Sequence, residues 1–202
     1  MIKSILVLNL MILSLTGILA QSIGEIDDYR NDVLNNLEKY RCFTYYNDSI
    51  LTENSHIYDT AYFYINKDEE LIYLEWRSTY HYFHLSGDAI SVSDFFVKNN
   101  ELVFKREYGY IFEDPQWTYK TDKSKAVIEI SESSREYYKF DGSPLAEYKR
   151  RQISGAFQNR ESLLNSIPLE LKLERRWSKR CDSCLEKYFN ILNNLISSKN
   201  DK

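Results

Sequence analysis

The chain reads as an α+β protein: an antiparallel meander of about eight strands packed against one helix at each end. Three observations lead there. A pattern of aromatic pair, short polar turn and apolar run opening on Leu occurs three times. The stretch holding it, from about Phe43 to Ile153, alternates with a period of two, and the segments on either side return to helical spacing.

The first twenty residues place Lys3 ahead of an apolar run from Ile5 to Leu19, with Ala20 as a small residue before Gln21. This is the layout of a secretory signal peptide, and the run is short of the about 20 apolar residues a spanning helix needs. The reading is a leader over 1–20, cleaved after Ala20, and one α+β domain over 21–202. No Cys follows the cut directly, so the route that attaches an acyl chain to a new N-terminal Cys is closed, and no membrane span is expected after cleavage.

Ser22-Ile23-Gly24-Glu25 has the form of a capping box, which satisfies backbone donors orphaned at a helix start. Ile26, Tyr29, Val33, Leu34, Leu37 and Tyr40 then form one apolar stripe, while Asp27 and Asp28 sit where the helix dipole favours anions. Next come the hairpins: Tyr62 to Ile65 and Leu71 to Leu74 around Asn66 to Glu70; Phe95 to Val97 and Leu102 to Phe104 around Lys98 to Glu101; Tyr137 to Phe140 and Leu145 to Tyr148 around Asp141 to Pro144. β-Branched and aromatic residues flanking Asn-Asn or Asp-Gly predict strand, turn, strand. Further strands are expected at Thr79 to Leu85, Tyr108 to Phe112 and Ala126 to Ile130. Leu169, Leu171 and Leu173 alternate with charged residues and fit either an edge strand or a helical turn. The last helix carries the stripe Leu185, Tyr188, Phe189, Leu192, Leu195 and Ile196. Short connections make sequence neighbours spatial neighbours, and the two helices are expected to seal one side of the sheet and leave the other wet.

Composition narrows the class. At 43% hydrophobic and 15% aromatic residues the chain is too apolar to be disordered. Its net charge of −4 becomes −5 once Lys3 leaves, which disfavours nucleic acid as a partner. The intervals between the three hairpins are unequal, which excludes a solenoid.

The paired aromatics, turn and Leu run, framed by a leader and terminal helices, resemble small secreted bacterial proteins of unknown function with a bias toward Asn, Lys, Ile and Tyr. The resemblance implies an envelope or extracellular setting and carries no catalytic residues.

Four constellations bear on chemistry. Cys181-Asp182-Ser183-Cys184 has the spacing of a redox pair, with Cys181 as nucleophile and Lys179 and Arg180 to favour the thiolate. It lies behind an antiparallel sheet and outside any βαβ unit, so a staple from Cys42 to Cys181 or Cys184 is the favoured reading, with a local Cys181–Cys184 bridge as the other structural choice. His81 and His84, three apart in a strand, point to opposite faces and cannot easily share an ion, so no metal site is expected. Basic residues at Lys149 to Arg151, Arg175-Arg176 and Lys179-Arg180 are diluted by Glu170, Glu174 and Asp182 and read as solvated faces. Carboxylates such as Glu75, Glu107, Asp114, Glu129 and Glu147 are plentiful, but a sequence cannot show two facing across a cleft, so a hydrolase ranks behind the other readings.

The tyrosines carry the favoured functional expectation. If Phe63, Ile65, Ile72, Leu74 and Trp76 meet the helices, Tyr62, Tyr64, Tyr73, Tyr80 and Tyr82 line the opposite face. Tyr supplies large contact area with a polar tip, which suits protein and glycan partners, although cross-strand packing alone also favours it. The expectation is a non-catalytic, secreted or periplasmic binding module for a protein or glycan of the cell envelope, without cofactor; the alternative is a thiol-disulfide protein using Cys181 and Cys184.

Overall fold

A computed structural model describes residues 23–52, 55–82, 87–113, 127–148, 151–154, 166–167 and 182–200. The leader, the capping Ser22, His84, Cys181 and the Leu169 to Leu173 segment lie outside them, as do the side chains of His81, Tyr82 and Cys184. Helix α1 spans residues 23–35 and is followed by a 3-10 turn, Leu37–Lys39. Eight strands follow: β1 (Arg41–Thr52), β2 (Ser55–Ile65), β3 (Leu71–Tyr82), β4 (Gly87–Lys98), β5 (Glu101–Glu113), β6 (Val127–Tyr138), β7 (Pro144–Tyr148) and β8 (Arg151–Ser154). Helix α2 is Asp182–Asn200.

The sheet is an antiparallel meander in the order β1 to β7, and β8 also pairs with β6. Arg135 faces Tyr148 and Glu132 faces Arg151, so three steps back along β6 match three steps forward along the chain. β7 and β8 therefore share the seventh position and one register. The α+β class, the meander and a helix at each end agree with the sequence.

All three hairpins are present. The first and third turns share one geometry. Asn66 N–H donates to the Glu70 carbonyl at 3.0 Å and Glu69 N–H to Asn66, as Lys139 N–H donates to Ser143 at 2.8 Å and Gly142 N–H to Lys139. The fourth residue of each turn is left-handed, Glu69 with φ 64° and Gly142 with φ 75°. The second hairpin turns on Asn99 and Asn100, both left-handed at φ 53° and 61°, the conformation a two-residue turn between twisted strands requires. Glu69 is the misfit, because a side chain disfavours that region by about 1 kcal/mol or more. Its exposed ion pair with Arg41 offsets little. Glu69→Gly is expected to raise stability by about 0.5–1 kcal/mol, read as a higher urea midpoint at unchanged slope.

The helices do not share a face. Phe43, Phe63, Leu74, Trp76, Phe95 and Val97 pack with Leu185 and Leu192 of α2. Tyr73, Phe96, Phe104, Tyr137 and Ala146 pack with Ile26 and Val33 of α1. Successive strand residues alternate between faces, so Phe95 and Phe96, or Tyr137 and Tyr138, serve opposite cores. The expected arrangement, one side sealed by both helices and one side wet, gives way to a sheet between two helices. The reason lies in the hairpins, whose apolar residues are consecutive and so supply both faces.

Helix α1 is about 20 Å long against strands of about 40 Å. Its contacts lie at one end of the sheet: Tyr29 Oη donates to the Val97 carbonyl at 2.6 Å, and Tyr137 Oη to Asp27 Oδ1 at 3.3 Å. The remainder of that face extends beyond the contacts made by α1.

Candidate functional site

Cross-strand register writes the α1 face as rows. The first is aromatic: Tyr64, Tyr73, Phe96, Phe104 and Tyr137 lie side by side from β2 to β6, beneath α1. The second is ionic, with Glu75, Asp94, Arg106 and Arg135 from β3 to β6. Arg30 of α1 closes over this border, its guanidinium 3.6 Å from the Phe104 ring centre and bonded to Asp27.

Two buried carboxylates organise the ionic row. Asp94 is 8% exposed and accepts from Tyr73 Oη at 2.9 Å, and the same hydroxyl lies 3.5 Å from Glu75 Oε2. Burial pushes the Asp94 carboxyl up to about 6, against the downward pull of the Tyr73 hydrogen bond and the Arg106 charge. Burial and the Asp94 charge push the Tyr73 phenol far up, which keeps it a donor. Glu132 is 0% exposed and takes a forked pair from Arg135, Nε at 2.7 Å and Nη2 at 3.2 Å, with Arg106 Nε 3.3 Å away. Arg106 stacks 4.4 Å from the Tyr108 ring centre, and its buried Nε and Nη2 make no hydrogen bond, nor does Arg30 Nε.

A bulge makes this possible. Glu107 pairs with Ser134 and Tyr108 with Glu132, so Ser133 is an extra residue on β6. Three residues apart on a regular strand, Glu132 and Arg135 would point to opposite faces; the insertion turns both to the α1 side.

The five tyrosines named from sequence separate. Tyr62, Tyr64 and Tyr73 belong to the α1 face, where Tyr64 stacks on Tyr73 at 5.5 Å between ring centres and Tyr73 is buried. Tyr80 lies at an alternate position to Tyr73 on the same unbroken strand and so belongs to the α2 face. Tyr82 ends β3, opposite Ser55 and Gly87. A sequence reading that treats Leu71 to Leu74 and Thr79 to Leu85 as two strands loses the parity between them. β3 is one strand of 12 residues, and the five do not form one wet surface.

Exposed aromatics occur elsewhere. Tyr46 is 72% exposed, Ile50 71% and Tyr58 45%. Tyr46 sits opposite Thr60, Asp48 opposite Tyr58 and Ile50 opposite His56, all on the α1 face at the end that α1 does not reach. His56 stacks on Tyr58 at 6.0 Å with its Nδ1 3.7 Å from Asp48 Oδ1. Tyr46 was legible as an aromatic in a strand, but nothing in its spacing tells which end of a face a helix will cover.

Cys42 is exposed at the start of β1, its thiol 3.9 Å from the Phe43 carbonyl. The pairings expected of it reach Cys181 and the Cys184 side chain, which are outside the described residues. Of the carboxylates named from sequence, Glu107 binds Lys105 at 2.7 Å and Glu147 faces Glu136 across β6 and β7. Asp114 and the Glu129 side chain fall outside the described residues. Glu75 and Asp94 do stand side by side, but Asp94 is too buried to meet a polymer.

These features define a class: an α+β protein whose meander sheet carries a helix on each face and an ionic row across the middle of one. Comparison with protein-family models, curated proteins and solved structures finds no match.

Proposed function

We propose that this protein is a non-catalytic, secreted or periplasmic binding module that receives a protein partner on the open end of its α1 face, through Tyr46, Ile50 and Tyr58. The exposure of these three large side chains on adjoining strands carries the reading. Single exposed apolar residues are ordinary, whereas a contiguous group on a rigid sheet is what protein interfaces use. Tyr anchors bring contact area at low entropic cost. Ile50 separates protein from glycan, because a branched aliphatic chain offers a sugar no hydrogen bond and fills an apolar pocket on a protein well. The buried ionic row beside it serves to hold the platform rigid.

Photo-crosslinking from position 46, with the full chain in native envelope or culture extract, tests this. A protein adduct is expected, weakened about 5- to 30-fold by Tyr58→Ala or Ile50→Asp, as anchors worth about 1–2 kcal/mol each predict. Binding to a glycan array that needs Tyr46 and Tyr58, with no protein adduct, would assign the surface to sugar instead. Adducts indifferent to both replacements would end the reading.

A further inference from the structure

We infer that the partner arrives as an extended segment that adds a strand to the outer edge of β1, with apolar side chains at alternate positions and a basic residue against Asp48. This rests on the binding reading and names the chemistry of its occupant.

The first observation is the edge. Among the described residues β1 pairs only with β2, and its register there is unbroken from Arg41 to Ile50. In an antiparallel ladder alternate residues turn their N–H and C=O groups outward, so from Thr44 to Ile50 this edge offers a row of donors and acceptors that no described strand takes up. Proteins usually blunt such an edge with Lys, Pro, a bulge or an interruption. The other edge of this sheet has such devices: it starts at Pro144 and carries Lys149-Arg150-Arg151 in sequence. From Arg41 to Ile50, β1 holds neither Pro nor Lys.

The second observation is area. Side chains of Tyr size offer about 150–250 Å² each, so Tyr46, Ile50 and Tyr58 at their observed exposure present about 400 Å². A stable globular interface takes about 800 Å² from each side. The patch alone is too small for a folded partner or a second copy, while an added strand draws the rest of its affinity from main-chain hydrogen bonds.

The third is charge. Asp48, with its side chain 62% exposed, sits amid the three apolar residues. A second copy pairing edge to edge about a two-fold near this position would bring aspartates together, and the chain's net charge of −4 adds to the repulsion. A segment bearing Lys or Arg is attracted by the same group.

The test uses the full chain and a library of capped octapeptides with Val, Ile or Tyr at alternate positions and either Lys or Glu between them, titrated by calorimetry. Lys-bearing members are expected to bind at least tenfold more tightly than their Glu counterparts, and Asp48→Lys to reverse that order. N-methylation supplies the signature of strand addition: methyl groups on one alternate set of amides abolish binding, and on the other set leave it intact. Equal effects of both sets, or no binding by any member, would overturn the inference. A partner still lost on Tyr58→Ala would then show that the binding surface itself stands. Sedimentation revealing a dimer that Ile50→Asp dissolves would overturn it in favour of a second copy. Peptide binding with partner adducts indifferent to Tyr58→Ala and Ile50→Asp would instead sink the broader reading alone.

Discussion

Glu132→Ala is expected to destabilise the protein by about 3–5 kcal/mol, the largest effect of any single replacement considered. The wild-type carboxylate is fully buried and sits between Arg106 and Arg135, accepting two hydrogen bonds from the latter. Its removal leaves two largely buried guanidinium groups without their main counter-charge and opens a void in the middle of the sheet. For a chain of this length each kcal/mol shifts the melting midpoint by about 2–4 °C, so a loss of roughly 10 °C should appear in calorimetry. The complementary experiment replaces all three charges with apolar residues of similar volume, Arg106→Met, Glu132→Leu and Arg135→Met together. That variant is expected to recover most of the loss, because desolvating three charges cancels much of what their attraction contributes. A triple variant as unstable as Glu132→Ala would show that hydrogen-bonded geometry, and not the removal of counter-charge, sets the cost.

Asp94→Asn is expected to gain stability relative to wild type as pH rises. The folded-state carboxyl titrates near 6, above its ordinary 3.8, because burial disfavours the charged form more than Tyr73 and Arg106 favour it. The folded protein therefore holds a proton here that the unfolded chain has released. Stability contributed by this group is fully present below pH 4 and is lost as pH rises through 6. A difference of about two pH units corresponds to roughly 3 kcal/mol. Asn keeps an acceptor for Tyr73 Oη and cannot ionise, so the stability difference between variant and wild type should grow by up to about 3 kcal/mol from pH 4 to pH 7.5. Urea unfolding at both pH values measures it, and taking the difference cancels the other titrating carboxyls. A difference that stays flat across the window would show that Asp94 is ionised at little cost, with the Arg106 and Arg30 charges outweighing burial.

Local chemistry was legible where it is local. Asn99-Asn100 and Asp141-Gly142 marked their turns because left-handed backbone is tolerated by few residues. The stripes beginning at Ile26 and Leu185 marked their helices because a helix with one neighbour needs one apolar face. What misled was the assignment of faces. Parity within a strand is reliable only along an unbroken strand, and Tyr73 and Tyr80 change relation once β3 is seen to run through Trp76. The Ser133 bulge reverses the usual inference, since it places Glu132 with Arg135 where simple alternation would separate them. The ionic row thus had no sequence signal: Glu75, Asp94, Arg106 and Arg135 lie on four strands, and only register makes them neighbours.

The sequence by itself determined the meander, the turns of its three aromatic hairpins and the helices at the two ends, because each depends on periodicity or backbone freedom within a few residues. Only the tertiary structure decided that the helices take opposite faces, that Asp94 and Glu132 are buried in a shared lattice, and that Tyr46, Ile50 and Tyr58 are left open beyond α1. Those outcomes turn on long-range register and on where a helix of about 20 Å comes to rest on strands twice its length.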